Sequence, residues 1–371
     1  MPKNGNLLGC CIDCGGFVLS GNGEKINFAI SGAGRIGRAV FRAYFENPSR
    51  YSNCRLVAMN DPHDFDTLAH LLRYDSVHGR VPFDMVLDKD EKCLTVGDTV
   101  VALLSSRDPK SLPWGQHGVD CVMECTGQFK DQAGLSQHLT AGASKVLLSA
   151  PAKGQIDATI VLGVNESDLR SDHRTVSIGS CTTNALAPVL KVVKDVAPIE
   201  NCFFTTVHAY TKDQALVDSH HHDLRRARAA SQSIIPTKTG AAKSIGLVLP
   251  DLSGKVEGYA LRVPTANVSL IDVVIHFSEN VTQSQLESRL RQAAQQSDYL
   301  DVTDEPLVSC DFNHNPFSAV IDMSQIQVNG KTARVVAWYD NEWAYALRML
   351  DMANQLAKIS SGAKREFAAE Q

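Results

Sequence analysis

Gly32-Ala33-Gly34-Arg35-Ile36-Gly37 constrains the fold of this chain more than any other stretch. Ile26, Phe28 and Ile30 alternate as in a strand and run straight into it, and Arg38 to Glu46 continues with helical spacing. In a Gly-x-Gly-x-x-Gly turn between strand and helix, Gly32 permits the tight turn and Gly34 lets backbone approach a diphosphate. Gly37 lets helix pack on strand, and the anion sits on the N-terminus of the helix that follows, with Arg35 and Ile36 in the turn as further cofactor-binding candidates. A second apolar run, Arg55 to Met59, ends at Asn60-Asp61. A carboxylate there accepts hydrogen bonds from ribose hydroxyls and repels a 2′-phosphate, which favours NAD over NADP; the plainer reading of Asp61 is a turn residue. Cys121 to Cys125 and Lys145 to Ser149 also read as strands, ending in Thr126-Gly127 and Ala150-Pro151. Alternating strands and helices of this kind describe a doubly wound parallel sheet, with ligands beyond the carboxyl ends of its strands. Thr126 and Gly127 are therefore expected beside the cofactor, with ordinary turn chemistry as the alternative.

A second stretch carries chemistry: Ser180-Cys181-Thr182-Thr183-Asn184, between the strand-like run Thr175 to Ile178 and the helix-like run Ala185 to Lys194. Cap-type residues precede helically spaced apolar ones, so Cys181 is expected at a helix N-terminus, a setting that favours thiolate over thiol. Pro188 predicts a kink or a later helix start. An isolated cysteine is more often a buried structural residue. His208 ends the strand-like run Phe203 to Val207, within reach of Cys181 after a helix and a returning strand. His78, in the loop after a helical segment, reads as structural.

Length and composition suit this picture. The 371 residues suggest about two domains, and 44% hydrophobic content is ample for their cores. A net charge of -5 argues against a dedicated nucleic-acid partner, and no apolar run reaches membrane-spanning length. Ten cysteines without a pair of Cys-x-x-Cys units read as reduced thiols, hence a cytoplasmic setting. Residues 1–24 form a flexible leader in this reading, with Cys10, Cys11 and Cys14 clustered but no fourth metal ligand and no proper secretory leader. His220-His221-His222 reads as a loop or interface, and no metal site is expected.

The two stretches resemble the phosphorylating glyceraldehyde-3-phosphate dehydrogenase family. So do His208-Ala209-Tyr210-Thr211, the run Asp223 to Ala230, Thr239-Gly240-Ala241-Ala242-Lys243, Arg262-Val263-Pro264-Thr265 and Trp338-Tyr339-Asp340-Asn341-Glu342-Trp343, in order, over almost all of Ile26 to Ala357. The resemblance implies an NAD-dependent enzyme in which Cys181 is the nucleophile and His208 its base and acid. It implies that Asn341 and Tyr345 attend the nicotinamide, that Thr211 and Arg262 hold the substrate's phosphate, and that Thr182, Arg226, Thr239 and Gly240, beside Ser180, hold the attacking inorganic phosphate. A sugar-phosphate aldehyde would be oxidised through a thioester, and the segment Lys212 to Ile235 would pack inside a homotetramer.

Some positions depart from the family's common pattern: Ile178-Gly179, Ala185, Ala215 and Ala33 replace other residues, and none removes a catalytic group. The runs Ala230 to Pro236 and Pro306 to His314 resemble the erythrose-4-phosphate branch, which is the alternative substrate reading. A thiol-based redox sensor or a moonlighting binding protein is the alternative from another class. The expected fold is α/β: a Rossmann-type doubly wound parallel sheet over residues 25–180, completed by the C-terminal helix 341–371. An α+β catalytic domain with a mixed or antiparallel sheet would occupy 181–340.

Overall fold

Ile26–Ser31 is buried along almost its whole length, as befits a strand covered on both faces. In the computed structural model, which describes residues 25–369, it is the middle of a nine-stranded sheet. Cys54–Asn60 and Thr99–Leu104 lie to one side and Cys121–Glu124, Lys145–Leu148, Thr175–Ser177 and Ala158–Thr159 to the other, every neighbour parallel. Antiparallel strands Cys93–Val96 and Val86–Asp88 finish one edge. The sheet is the expected doubly wound one. The leader 1–24, with its cysteine cluster, lies outside the described residues.

The first helix, Arg35–Glu46, begins three residues before its apolar pattern does, directly after Gly34. A Cβ on Gly37 would stand 2.1 Å from the Gly32 carbonyl oxygen, so only glycine allows this helix to sit so close to its strand. One Gly34 would carry meets no protein atom within 4 Å.

The second sheet has eight strands and is mixed. Ile199–Ala209 lies parallel to Val256–Val263 and antiparallel to Ser269–Phe277, which pairs antiparallel with Thr332–Tyr339. Its inner face packs, through Phe204, Ile271, Val273 and Val335, on the helix Cys181–Val193. Its outer face leaves Phe203, Tyr259 and Val274 exposed.

The final helix, Trp343–Ala369, returns to the first sheet. Leu347, Leu350 and Ala353 join the core built around Phe28 and Ile30, and Arg348 and Arg50 both pair with Asp351 on it. No helix among the described residues is long and apolar enough to cross a membrane.

Candidate active site

Ser180 caps the helix Cys181–Val193. Its Oγ accepts from the Thr183 backbone N–H at 3.0 Å while Thr183 Oγ1 accepts from the Ser180 N–H at 3.3 Å, a reciprocal cap that fixes the first turn. Pro188 neither delays nor ends this helix, contrary to expectation, and lies inside it. The cap and the complete burial of Ala185, Leu186, Val189 and Leu190 outweigh the proline's cost, about 3 kcal/mol. Gly179, one of the departures noted in the sequence, has φ +70, a conformation that glycine adopts without strain, and its carbonyl accepts from Tyr345 Oη at 2.8 Å.

Cys181 therefore occupies the first helical position and packs against both hydrophobic cores. Its Sγ lies 3.4 Å from His208 Nε2. Burial pushes the Cys181 thiol up, with the Arg262 charge and the backbone N–H groups of Thr182 and Cys181 pulling the other way. The sequence led us to expect a helix terminus that favours thiolate; in the structure desolvation opposes that pull and outweighs it. His208 is buried and pulled down to about 3, first by burial and then by the Arg262 guanidinium. Its Nδ1 is 2.7 Å from the Ala209 carbonyl oxygen and 2.6 Å from Arg262 Nη1.

A cleft of about 730 Å³ runs from this pair to the glycine turn. Gly32, Gly34, Arg35, Ile36, Asp61, Thr126 and Gly127 line the side of the glycine turn, Ser180, Cys181, His208, Thr211 and Arg262 the other end, and Asn341 and Tyr345 line it as well. The open space at Gly34 and the start of a helix beside it suit a diphosphate. Asp61 Oδ2 accepts from the Ala33 N–H at 2.9 Å, and its Oδ1 lies 2.6 Å from His63 Nδ1, so the carboxylate is fixed at the end of its strand. Arg35 is committed elsewhere: it forks between Asp75 and Glu342, whose bonds outweigh burial and hold its charge firmly. His78 stands behind that pair, 3.1 Å from Glu342, and is structural as expected.

Gly37, Thr182, Arg226, Thr239 and Gly240 do not line the cleft. Gly37 is the buried packing glycine. Thr182 is buried, its hydroxyl 3.0 Å from Tyr339 Oη. Arg226 bonds to Thr237 and to Asp213 at 2.5 Å, and Gly240 stands at the cap of the helix Ala241–Val248.

One functional group escaped the sequence reading. Glu124, fully buried, accepts from Thr126 N–H at 2.7 Å and from the Thr126 hydroxyl, and its other oxygen lies 3.0 Å from His138 Nε2. Trp114 Nε1 donates to His138 Nδ1 at 3.0 Å, which leaves the proton on Nε2 and makes His138 the donor to Glu124. The network holds Thr126-Gly127 against the cofactor end of the cleft. An acidic residue closing the apolar run Cys121 to Glu124 was the available signal.

Comparison with known proteins decides the family. Residues 26–132 match the glyceraldehyde 3-phosphate dehydrogenase NAD binding domain, and residues 180–341 match the C-terminal domain of the same family. The chain belongs to the glyceraldehyde 3-phosphate dehydrogenase family. It is 48% identical over 334 residues, 90% of this chain and 98% of the relative, to the plasmid-encoded glyceraldehyde-3-phosphate dehydrogenase of Cupriavidus necator. Identity is also 48% to the glyceraldehyde-3-phosphate dehydrogenase of Pseudomonas aeruginosa and to glyceraldehyde-3-phosphate dehydrogenase 2 of Bacillus subtilis, over 90% of this chain and 98% and 97% of theirs. Within the glyceraldehyde 3-phosphate dehydrogenase family, the two matched regions meet here in one cleft, the first supplying its glycine turn and the second Cys181 and His208.

Proposed function

We propose that this protein oxidises glyceraldehyde 3-phosphate with inorganic phosphate, forming 1,3-bisphosphoglycerate through a thioester on Cys181. The observation that carries the reading is the 3.4 Å contact of Cys181 Sγ with His208 Nε2 at a helix N-terminus, in one cleft with the glycine turn. The sulfur attacks the aldehyde carbon while its proton passes by way of His208 to the aldehyde oxygen, whose developing negative charge faces the Cys181 backbone N–H, which has no intrahelical acceptor. His208 takes the proton from the hemithioacetal hydroxyl as the C–H bond breaks. NAD, when bound, accepts the hydride. The thioester then yields to inorganic phosphate, and the acyl phosphate leaves with Cys181 restored.

Thr211 and Arg262, at the Cys181 end of the cleft, suit the substrate's phosphate. Ser180, Thr182, Arg226, Thr239 and Gly240 are assigned to the attacking phosphate, with Asp213 holding Arg226 in reserve until an anion arrives. Gly32, Gly34, Arg35, Ile36, Gly37, Asp61, Thr126, Gly127, Asn341 and Tyr345 form the cofactor's side, Arg35 and Gly37 by building the turn rather than by touching its ligand. The domains divide as 25–180 with 341–371, and 181–340. The assembly is a homotetramer: Leu216, Val217, Leu224 and Ile234 project from one irregular loop, with 82% of Leu224 exposed, and the catalytic sheet adds an apolar outer face. The thiols of Cys54, Cys121, Cys125, Cys181, Cys202 and Cys310, none in a disulfide, support a reducing, cytoplasmic compartment.

The features that suggested erythrose 4-phosphate lie elsewhere. His314 stacks on Trp343 at 4.1 Å, and Ser231 Oγ bonds to the Leu216 carbonyl; neither lines the cleft.

Replacing Cys181 tests the reading. Cys181→Ser is expected to abolish the acyl-enzyme seen by mass spectrometry and lower turnover by at least about a thousandfold while NAD binds as before. Acylation persisting at another residue would overturn it.

A further inference from the structure

Ser269 opens its strand between the ends of two others: it pairs with Tyr339, and its neighbour Leu270 pairs with Val207. One of those strands ends at Ala209, directly after His208, and the other runs on through Asp340 into Asn341. Ser269 and Asn341 are both buried, and the Ser269 hydroxyl joins the two strand ends. Its Oγ accepts from the Ala209 backbone N–H at 3.1 Å and lies 2.8 Å from Asn341 Oδ1.

That geometry fixes the Asn341 amide. A backbone N–H can only donate, so the Ser269 oxygen accepts there and its own proton must go elsewhere. Asn341 is the one other partner it has among the described residues, and a buried hydroxyl proton left without an acceptor is costly, so Asn341 turns its oxygen to Ser269. Nδ2 is then the end left for the cleft that Asn341 lines, and it bonds to no other group among the described residues.

Two further features brace the arrangement. Asn267 Nδ2 donates to Asp340 Oδ2 at 2.9 Å, and Asp340 Oδ1 accepts from the Glu342 and Trp343 N–H groups at 3.0 and 2.8 Å, so the turn carrying Asn341 is tied to the start of the Ser269 strand twice over. Between Asn267 and Ser269, Val268 has φ +68. A β-branched residue in that region is strained, and such strain gathers at functional sites.

Resting on the cofactor side proposed above, we infer that Ser269 is a positioning residue: it locks Asn341 as a donor, so the site recognises the nicotinamide's carboxamide through its carbonyl oxygen and not through its NH2 group. Ala209 anchors the same hydroxyl, so the donor keeps its place relative to His208 and Cys181. Without the hydroxyl the Asn341 amide is free to present either end, and its oxygen would repel a carbonyl and accept from an NH2 group.

Calorimetric titration of the full-length protein tests this with two NAD analogues altered in the carboxamide. The 3-acetylpyridine dinucleotide keeps the carbonyl acceptor and lacks the NH2 donors; the thionicotinamide dinucleotide keeps the donors and offers sulfur, a poorer acceptor. The wild type should bind the first at least about fivefold more tightly than the second. Ser269→Ala should bind the two within about twofold of each other and NAD about fivefold more weakly than the wild type does. A serine that merely filled space would weaken both analogues alike, and an unchanged ratio in the variant overturns the inference. So does a wild type without preference for the acetyl analogue, a measurement that stands even if the variant folds poorly. NAD binding with the expected ratios but no NADH from glyceraldehyde 3-phosphate would instead sink the proposed activity alone.

Discussion

His208 is a buried imidazole kept neutral, and that has a consequence for stability as well as catalysis. Its folded pKa, near 3, is below the ordinary 6.5, so between those values the unfolded chain binds a proton that the folded one refuses. Stability contributed by the neutral ring is complete above about pH 6.5 and is lost as pH falls toward 3. Between pH 7 and pH 5 the wild type should lose about 2 kcal/mol more than His208→Asn, read from urea unfolding at the two values. Equal losses would mean that the ring is already solvated. Sequence could supply His208 and Cys181 as partners, because residue type and motif say what chemistry is possible. It could not supply the balance at Cys181, where desolvation and dipole oppose each other and only the packing density around the sulfur decides.

At the scale of elements, the turn between the first strand and helix separates two uses of glycine. Gly37→Ala would drive a methyl into the Gly32 carbonyl, so it should lower the thermal midpoint by several degrees, with NAD affinity falling as a result. Gly34→Ala meets no protein atom and should melt like the wild type while binding NAD at least about tenfold more weakly, by calorimetric titration. A Gly34 variant that melts early, or binds normally, would remove the diphosphate from this turn. Strand and helix periodicity was legible across this element, and both boundaries moved outward in the structure: Arg35 rather than Arg38 opens the helix, and Cys181 rather than Ala185 opens the one that carries the nucleophile. Caps decide such boundaries, and caps are polar. The Trp114, His138 and Glu124 network was illegible for a related reason. Its members lie far apart in sequence and none belongs to a repeating pattern.

For the whole molecule, the apolar side chains left outside are the main statement about assembly. Leu224→Asp, outside the cleft's lining, should reduce the proposed four-chain particle toward two chains or one in light scattering, with the folded spectrum retained. A monomeric wild type would contradict the assembly proposed here. The return of the last helix reaches further, into how the protein is made. Phe28 and Ile30 emerge from the ribosome early, yet Leu347, Leu350 and Ala353, which cover the same core, are translated only after the entire second sheet. The glycine turn's sheet must therefore wait, with part of its apolar surface bare, until the second sheet has been made. A message truncated shortly before the codon for Trp343 would yield a chain containing Cys181 and His208 but destined for chaperones and proteases, so this helix acts as a check that both sheets have been translated.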